Sequence, residues 1–343
     1  MPFILCGSNM SDDLKGKSWI RKLSLVVAKD NGEALELSNL RVQFVTSPSN
    51  IETPNPCEVT IYNASNQTEK KLKSKEYTRL IISAGYEYGL FGKIFEGTIK
   101  QVRLGRENQV DTYIAIAAGA GDHGYNFGIV NTSIAAGATT KDQVNTVVKD
   151  GFSPYGLSLG YMADNIRPNP LPRGKVMFGM AKDVMRDLAR THFCNWYIDQ
   201  DQVHMLPIDA HLPTSQAIVL NEATGMIGIP QLTPAGVVVK CLLNPEIRIN
   251  RIIHLNNPSI NEMPIGLGIA DIPQNELILQ GKVDYHLNRD GFYCVYRYTH
   301  RGDTRGQSWY TEITAIAIDS SSINPDNLKF WGAAGANAPG ASY

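Results

Sequence analysis

Four strand-like segments occur twice along this chain, in the same order. Val59-Thr-Ile-Tyr-Asn63 parallels Lys240-Cys-Leu-Leu-Asn244, and Leu80-Ile-Ile82 parallels Arg251-Ile-Ile253. Ile94-Phe-Glu-Gly-Thr-Ile99 parallels Ile278-Leu-Gln-Gly-Lys-Val283, and Thr112-Tyr-Ile-Ala-Ile-Ala117 parallels Thr311-Glu-Ile-Thr-Ala-Ile316. Any one match is cheap, because alternating strands look alike. The shared order, with Gly97 and Gly281 at the same place inside their strands, carries more weight. A glycine within a strand marks a bulge or a barrel corner. The expectation is two copies of one β-barrel with other material between them.

The local patterns agree. Across residues 19–118 apolar side chains recur at every second position, as at Leu23, Leu25 and Val27, Val42 and Phe44, and Val59 and Ile61. Ser47-Pro-Ser-Asn50 and Thr53-Pro-Asn-Pro56 read as connecting loops. The centre differs. Thr140-Lys-Asp-Gln143 reads as a capping box ahead of Val144, Val147 and Val148. Arg167-Pro-Asn-Pro-Leu-Pro172 reads as an extended loop, and Met177, Met180, Ala181, Val184, Met185, Leu188 and Ala189 stand at helical spacing. Residues 195–206 read as a hairpin turning at Asp199-Gln-Asp-Gln202. The β pattern resumes near Thr224, and the tail holds Leu328, Phe330 and Trp331 before a run of small residues that cannot make a core and reads as a disordered terminus or, functionally, as an arm ordering on a neighbour. The expected fold is mainly β with a smaller α/β part: a first β-barrel with its N-terminal arm over 1–118, an α/β insert over 119–223, a second β-barrel over 224–320 and a tail over 321–343. A length of 343 residues suits two or three domains.

Composition narrows the function. Lys plus Arg, 32, nearly cancels Asp plus Glu, 33, and only 19% of residues are charged, so binding to nucleic acid or anionic membrane by bulk charge is excluded. The five cysteines, Cys6, Cys57, Cys194, Cys241 and Cys294, form no C-x-x-C pair and read as reduced structural thiols. Met1 to Cys6 lacks the basic and apolar regions of a secretory signal, and the uncharged stretch 226–239 is too short for a bilayer and contains Pro230 and Pro234, so no membrane anchor is expected.

No catalytic, cofactor or metal site is expected. Gly119-Ala-Gly-Asp-His-Gly124 has dinucleotide-loop spacing, but Tyr125-Asn-Phe-Gly-Ile-Val130 after it is not helix-like, which favours an interdomain turn. The seven histidines are scattered without an H-E-x-x-H. A hydrolase built on His192, Cys194 or Asp122 is the enzymatic alternative, although close sequence neighbours such as His192 and Cys194 rarely make a nucleophile pair. A carbohydrate-binding β module using Trp309 is the other alternative. Arg301-Gly-Asp-Thr-Arg-Gly306 reads as a tight turn between two strands rather than an adhesion motif. The basic run Lys70, Lys71, Lys73, Lys75 and Arg79 reads as a solvated face.

Several runs carry a family likeness. Gly228-Ile-Pro230, Gly236-Val-Val-Val-Lys-Cys-Leu-Leu-Asn-Pro245, and His300-Arg-Gly-Asp-Thr-Arg-Gly306 followed by Trp309 resemble the baseplate hub proteins of contractile-tailed bacteriophages, a family related to the hub part of secretion-system spikes. Thr53-Pro-Asn-Pro56, the strand ending at Asn63, Ala84-Gly-Tyr86 and Ile94-Phe-Glu-Gly97 agree with it. The resemblance covers roughly residues 19–318. It implies a structural, non-enzymatic homotrimer in the virion baseplate, with tail-tube-like barrels that adapt a sixfold tail tube protein to a threefold central spike protein. Other baseplate proteins would be neighbours, and DNA would pass through the lumen. Three chains with two barrels each present six units, which suits the repeat, and the near-neutral charge suits a lumen that does not grip DNA. Asn63, Gly97, Leu243, Asn244, Pro245, Gly281, Gly302, Asp303, Gly306 and Trp309 are expected as fold and interface markers.

Overall fold

The computed structural model describes residues 18–29, 32–74, 76–164, 166, 168–208, 210–212, 217–233, 236–255, 261–262 and 291–318. The readings on Met1 to Cys6, on Lys75 and Pro234, on the 278–283 segment with Gly281, and on the tail after Ser320 lie outside these residues.

Alternation becomes strands where it was expected. The first part holds β1 (Arg21–Ala28), β2 (Ala34–Glu36), β3 (Arg41–Thr46), β4 (Pro56–Tyr62), helix α1 (Asn66–Lys73), β5 (Arg79–Tyr86), β6 (Phe91–Arg106) and β7 (Thr112–Gly119). Leu25, Val27, Val42, Phe44, Val59, Ile61, Ile114 and Ile116 are buried in one apolar cluster, as period-two side chains on a shared face must be. The middle holds α2 (Asp122–Phe127), β8 (Ile129–Ile134), α3 (Thr140–Val147), β9 (Ser158–Met162), β10 (Lys175–Met180), α4 (Ala181–Thr191) and the hairpin β11 (Cys194–Asp199) and β12 (Gln202–Pro207). The last part holds β13 (Ile218–Leu220), β14 (Gln231–Thr233), β15 (Gly236–Leu242), β16 (Ile252–Leu255), β17 (Asn261–Glu262), β18 (Phe292–Asp303) and β19 (Trp309–Ala317).

The middle residues pack around a cluster of their own that includes Val147, Phe152, Met185 and Trp196, with β8 paired to β10 and β12 lying between β9 and β11. Glu52 ties this unit to the sheet by accepting from Arg186 Nε at 2.8 Å and Trp196 Nε1 at 3.2 Å, and Asn55 Nδ2 donates to Ile198 O at 2.9 Å. The hairpin expected at Asp199-Gln-Asp-Gln202 is present. Gln200 and Asp201 have φ of 49° and 60°, the left-handed pair that a tight two-residue turn requires.

All other described strands join one sheet of fourteen, in the order β17-β14-β15-β19-β18-β3-β4-β7-β6-β5-β1-β2, with β16 beside β18 and β13 beside β16. Two equivalent runs lie in it. The path β3-β4-β7-β6-β5 repeats as β14-β15-β19-β18-β16; beyond it the runs differ, β1 lying antiparallel to β5 but β13 parallel to β16, and the runs meet where β3 pairs antiparallel with the end of β18. The fold is mainly β, with one large, largely antiparallel sheet. Among the described residues its pairing is an open path, and neither run closes on itself.

The repeat is therefore real as topology, but its register differs from the sequence alignment. The β6–β7 ladder is interrupted between Ile99 and Gln101, and the β18–β19 ladder between Val295 and Arg297. Setting Lys100 against Tyr296 aligns Ile116 with Ile313 and Val59 with Val239, all four buried. It also sets buried Leu80 against buried Ile253. The segments around Val59, Leu80 and Thr112 must slide by one or two residues from the alignment read in the sequence. The strand in the place of β6 is β18, so the position of Gly97 is matched by Tyr293. A period-two pattern is unchanged by a slip of two and inverted by a slip of one, so only the bulges fix the frame.

Four local expectations also shift. The capping box starts one residue earlier, with Thr139 as N-cap and Asp142 at the third helical position, while the Thr140 hydroxyl donates to Pro168 O at 3.1 Å inside the fold. Met177 and Met180 lie on β10 and the helix begins at Ala181, because a strand with alternating exposure ends where the helical stripe starts. A short helix, α2, does follow Gly119-Ala-Gly121, with left-handed Gly121 as its N-cap. Its glycines serve packing: a Cβ on Gly121 would stand 2.6 Å from Ile198 Cγ2, and one on Gly124 2.4 Å from Leu157 Cδ1. Arg301, Gly302 and Asp303 continue β18, and the turn occupies residues 304–307.

Candidate functional site

The seam between the two runs gathers four of the marker residues. His300, Arg301, Gly302 and Asp303 of β18 face Thr46, Val45, Phe44 and Gln43 of β3. Gly302 is required by close approach, since a Cβ there would stand 2.3 Å from the Phe44 ring and 3.0 Å from Trp309 Cε3. That space lets Phe44 and Trp309 meet edge to face, with centroids 5.6 Å apart at 78°. Trp309 is 4% exposed, and its Nε1 donates to Gly85 O at 3.3 Å. Its burial removes it as a sugar-stacking surface.

Asp303 clasps the seam. Its Oδ2 accepts from Arg41 Nη2 at 3.0 Å and Gln43 Nε2 at 2.8 Å, and its Oδ1 accepts from Arg305 N at 2.9 Å. Burial opposes its charge, yet the donors from Arg41, Gln43 and the backbone amides of Arg305 and Gly306 outweigh burial and hold the carboxyl well below the usual carboxylate range. Gly306 leaves room for this carboxylate, because a Cβ there would meet Oδ2 at 2.3 Å. Arg21 of β1 reads the same turn, donating to Asp303 O at 3.0 Å, to Gly306 O, and to Gln307 O at 3.1 Å, while its guanidinium lies 5.7 Å from the Trp309 ring. Beside the clasp, His300 Nδ1 pairs with Thr311 Oγ1 at 2.8 Å, and burial pushes its pKa down to about 3, so it is neutral.

Leu243, Asn244 and Pro245 lie around this seam. Leu243 and Trp309 both sit in the apolar cluster of the first run, although the last part of the chain supplies them. Asn244 closes an Asx turn by accepting from Glu246 N at 2.9 Å, and Pro245 packs where a Cβ on Gly92 would be 3.3 Å away. Asn63, at φ 52°, ends β4 and holds the far turn: its Oδ1 accepts from Thr112 N at 3.0 Å and its Nδ2 donates to Asp111 Oδ1 at 2.9 Å. Gly97 is apart from the seam, where a Cβ would strike Gly119 O at 2.6 Å. Arg21, Arg41 and Gln43 do not stand out in the sequence as seam residues, because polar positions of an alternating strand read as solvent-facing, and Phe44 reads only as core.

The groups of the enzymatic alternative do not converge. His192 Nε2 pairs with Thr140 Oγ1 at 3.1 Å, while the Cys194 thiol donates to the His192 backbone carbonyl at 3.3 Å. Asp122 is engaged by Lys100 Nζ at 2.5 Å and Asn126 Nδ2 at 2.9 Å. No group of His, Cys, Asp and Glu among the described residues is arranged to hold a metal. Cys57, Cys194, Cys241 and Cys294 form no disulfide among the described residues.

No curated protein matches the chain by sequence. Its fold is similar to that of the 43 kDa tail protein of prophage MuSo2 from Shewanella oneidensis, with TM-score 0.53, 6% identity, and 88% of this chain and 98% of that one covered. It is also similar to a chain of the Francisella PdpA-VgrG complex in its half-lidded form, with TM-score 0.51, 8% identity, and 91% of this chain and 60% of that one covered. A lidless PdpA-VgrG complex gives TM-score 0.50 at 9% identity, covering 89% of this chain and 65% of that one. At these identities the likeness is one of fold. Residues 37–265, about two thirds of the chain, match the family described as Baseplate hub gp41, so this chain belongs to that family of structural baseplate proteins and is not an enzyme.

Proposed function

We propose that this chain is the hub subunit of a phage baseplate, a homotrimer whose ring joins the tail tube above to the central spike below and leaves a lumen for the genome. In this reading residues 1–118 and 224–320 are two tube-like barrel units, 119–223 is an α/β insert between them, and 321–343 is a tail against a neighbour. One observation carries it: the same strand path occurs twice in one sheet, joined edge to edge within a single chain. Three such chains offer six equivalent units to a sixfold tube and three equivalent chains to a threefold spike. Asp303, Gly302, Gly306 and Trp309 then fix the angle between units, Leu243, Asn244, Pro245 and Asn63 brace it, and Gly97 seats the insert.

The charge balance supports the lumen, since a net charge of −1 gives DNA no strong electrostatic grip. Among the described residues no helix is long and apolar enough to cross a membrane. Mass photometry of the purified full chain, alone and with the spike and tube proteins of the same particle, tests the reading. A three-chain assembly that captures both neighbours is expected, and a chain that stays single in their presence overturns it.

A further inference from the structure

The tip of the β11–β12 hairpin is where the three parts of the chain meet. The β5–β6 ladder breaks its register at Ile94, and the Lys93 carbonyl beside the break accepts from two sides. Gln200 Nε2 of the hairpin donates to it at 2.9 Å, and Arg248 Nη2 of the last part donates to it at 2.7 Å. Arg248 also faces Asp199 of the hairpin, Nη1 to Oδ2 at 3.9 Å. At Asp201 a single nitrogen serves two carboxylates. Arg79 Nη2 of β5 donates to Asp201 Oδ2 at 2.5 Å and to Glu96 Oε1 of β6. Lys93 Nζ pairs with Glu96 Oε2 at 2.5 Å, so Glu96 holds two cations, whereas no described donor other than Arg79 reaches the Asp201 carboxylate. A cleft of about 100 Å³ opens on Arg79 and Asp201, with Thr78, Thr98 and His123 in its walls, and the Arg79 side chain is 46% exposed, so solvent protons reach the pair.

We propose that the hairpin tip is a proton-linked joint, in which one proton shared between Asp201 and Glu96 draws the insert onto the sheet and its loss loosens the hold. Two carboxylates on one nitrogen repel each other across the joint. A proton on Asp201 removes that repulsion and supplies a hydroxyl that can donate to Glu96. The charged and titratable groups around Asp201 are Arg79 of β5, Lys93 and Glu96 of β6, Asp199 of its own hairpin, Arg248 of the last part, and His123 of α2 across the cleft. Burial, and then the Glu96 charge, raise the Asp201 carboxyl to about 6 against the pull of Arg79 and Lys93. Burial moves Asp199 upward too, against Arg248 and Lys93. Both shifts have one sign. A carboxyl that titrates higher when docked than its free value of about 3.9 holds the joint tightest below that value, weakens it as pH rises to about 6, and changes it no further above. An ordinary salt bridge responds in the opposite sense. The joint lies within one chain and does not depend on how many chains assemble.

The test compares the full wild-type chain with Asp201→Asn in urea titrations from pH 5 to pH 8. Asparagine suits the left-handed backbone at position 201, φ 60°, and its amide imitates the protonated carboxyl by accepting from Arg79 and donating to Glu96. The folded-to-unfolded ratio of the variant relative to wild type is expected to rise about tenfold between pH 5 and pH 8, with most of the rise below pH 7. His123 is present in both chains, so its own response cancels in that ratio. Asp201 belongs to the insert and Glu96 to the sheet, so the same comparison in a Glu96→Gln background isolates the interaction across the joint. There the rise is expected to shrink. A relative ratio that is level from pH 5 to pH 8, or that falls, overturns the proposal. A rise of undiminished size in the Glu96→Gln background overturns it as well, because the proton would then belong to Asp201 alone.

Discussion

Replacing Asp303 by Asn should loosen the seam by a predictable amount. The carboxylate is 6% exposed and accepts three hydrogen bonds from Arg41, Gln43 and the Arg305 amide. A hydrogen bond to a charged group contributes about 1.5–3 kcal/mol net. The three bonds share one desolvation cost, and Arg41, with its side chain 39% exposed, can rehydrate when its partner is lost. The expected loss for Asp303→Asn is therefore about 2–3 kcal/mol rather than the sum of three bonds. With a urea slope of about 1–3 kcal/mol per molar, that is a midpoint lower by about 1 M. The pH dependence has a definite sign. The folded carboxyl titrates below its unfolded value of about 3.9, so its contribution is complete above about pH 5 and is lost progressively as pH falls below that. The gap between wild type and variant should be constant from pH 6 to pH 8 and narrower by about 1 kcal/mol at pH 3. Urea titrations followed by tryptophan fluorescence at pH 7 and pH 3 measure both quantities. No gap at pH 7, or the same gap at both pH values, would refute the clasp.

Trp309→Ala, which removes a buried ring, its contact with Phe44 and its bond to Gly85 O, should cost about 3–5 kcal/mol in the same titration, with Trp309→Phe costing less. Burial pushes the Cys241 thiol up to about 12 and the Cys57 thiol well above its ordinary value, so alkylation of the native chain at pH 8 followed by mass spectrometry should find both unmodified until denaturant is added.

The sequence revealed the strands well because period-two burial is written directly in residues such as Val42, Phe44, Val59 and Ile61. It revealed the repeat but not its frame. Sliding one alternating strand along another preserves the pattern, and the two bulges that set the register, at Lys100 and Tyr296, have no signature in residue type. The α4 stripe was legible from Ala181 onward, whereas Met177 and Met180 fitted the helical period by coincidence while belonging to a strand. Of the seam, Gly302, Asp303, Gly306 and Trp309 stood out through the family likeness. Arg21 and Arg41 did not, because their importance arises from a pairing between segments roughly 260–285 residues apart that no local pattern encodes.

That separation also gives the seam a place in time. β3 is translated about 250 residues before the stretch of β18 that covers its edge, which at about 5–20 residues per second is on the order of 10–50 s of synthesis. Throughout that interval the nascent chain carries a bare strand edge, and the core beneath it lacks Leu243 until late and Trp309 until later still. Neighbouring ribosomes on one message hold other copies at the same stage, each with the same bare edge. The contact that joins the two runs therefore closes late, and it defines the period in which a growing chain is most open to pairing with the wrong copy.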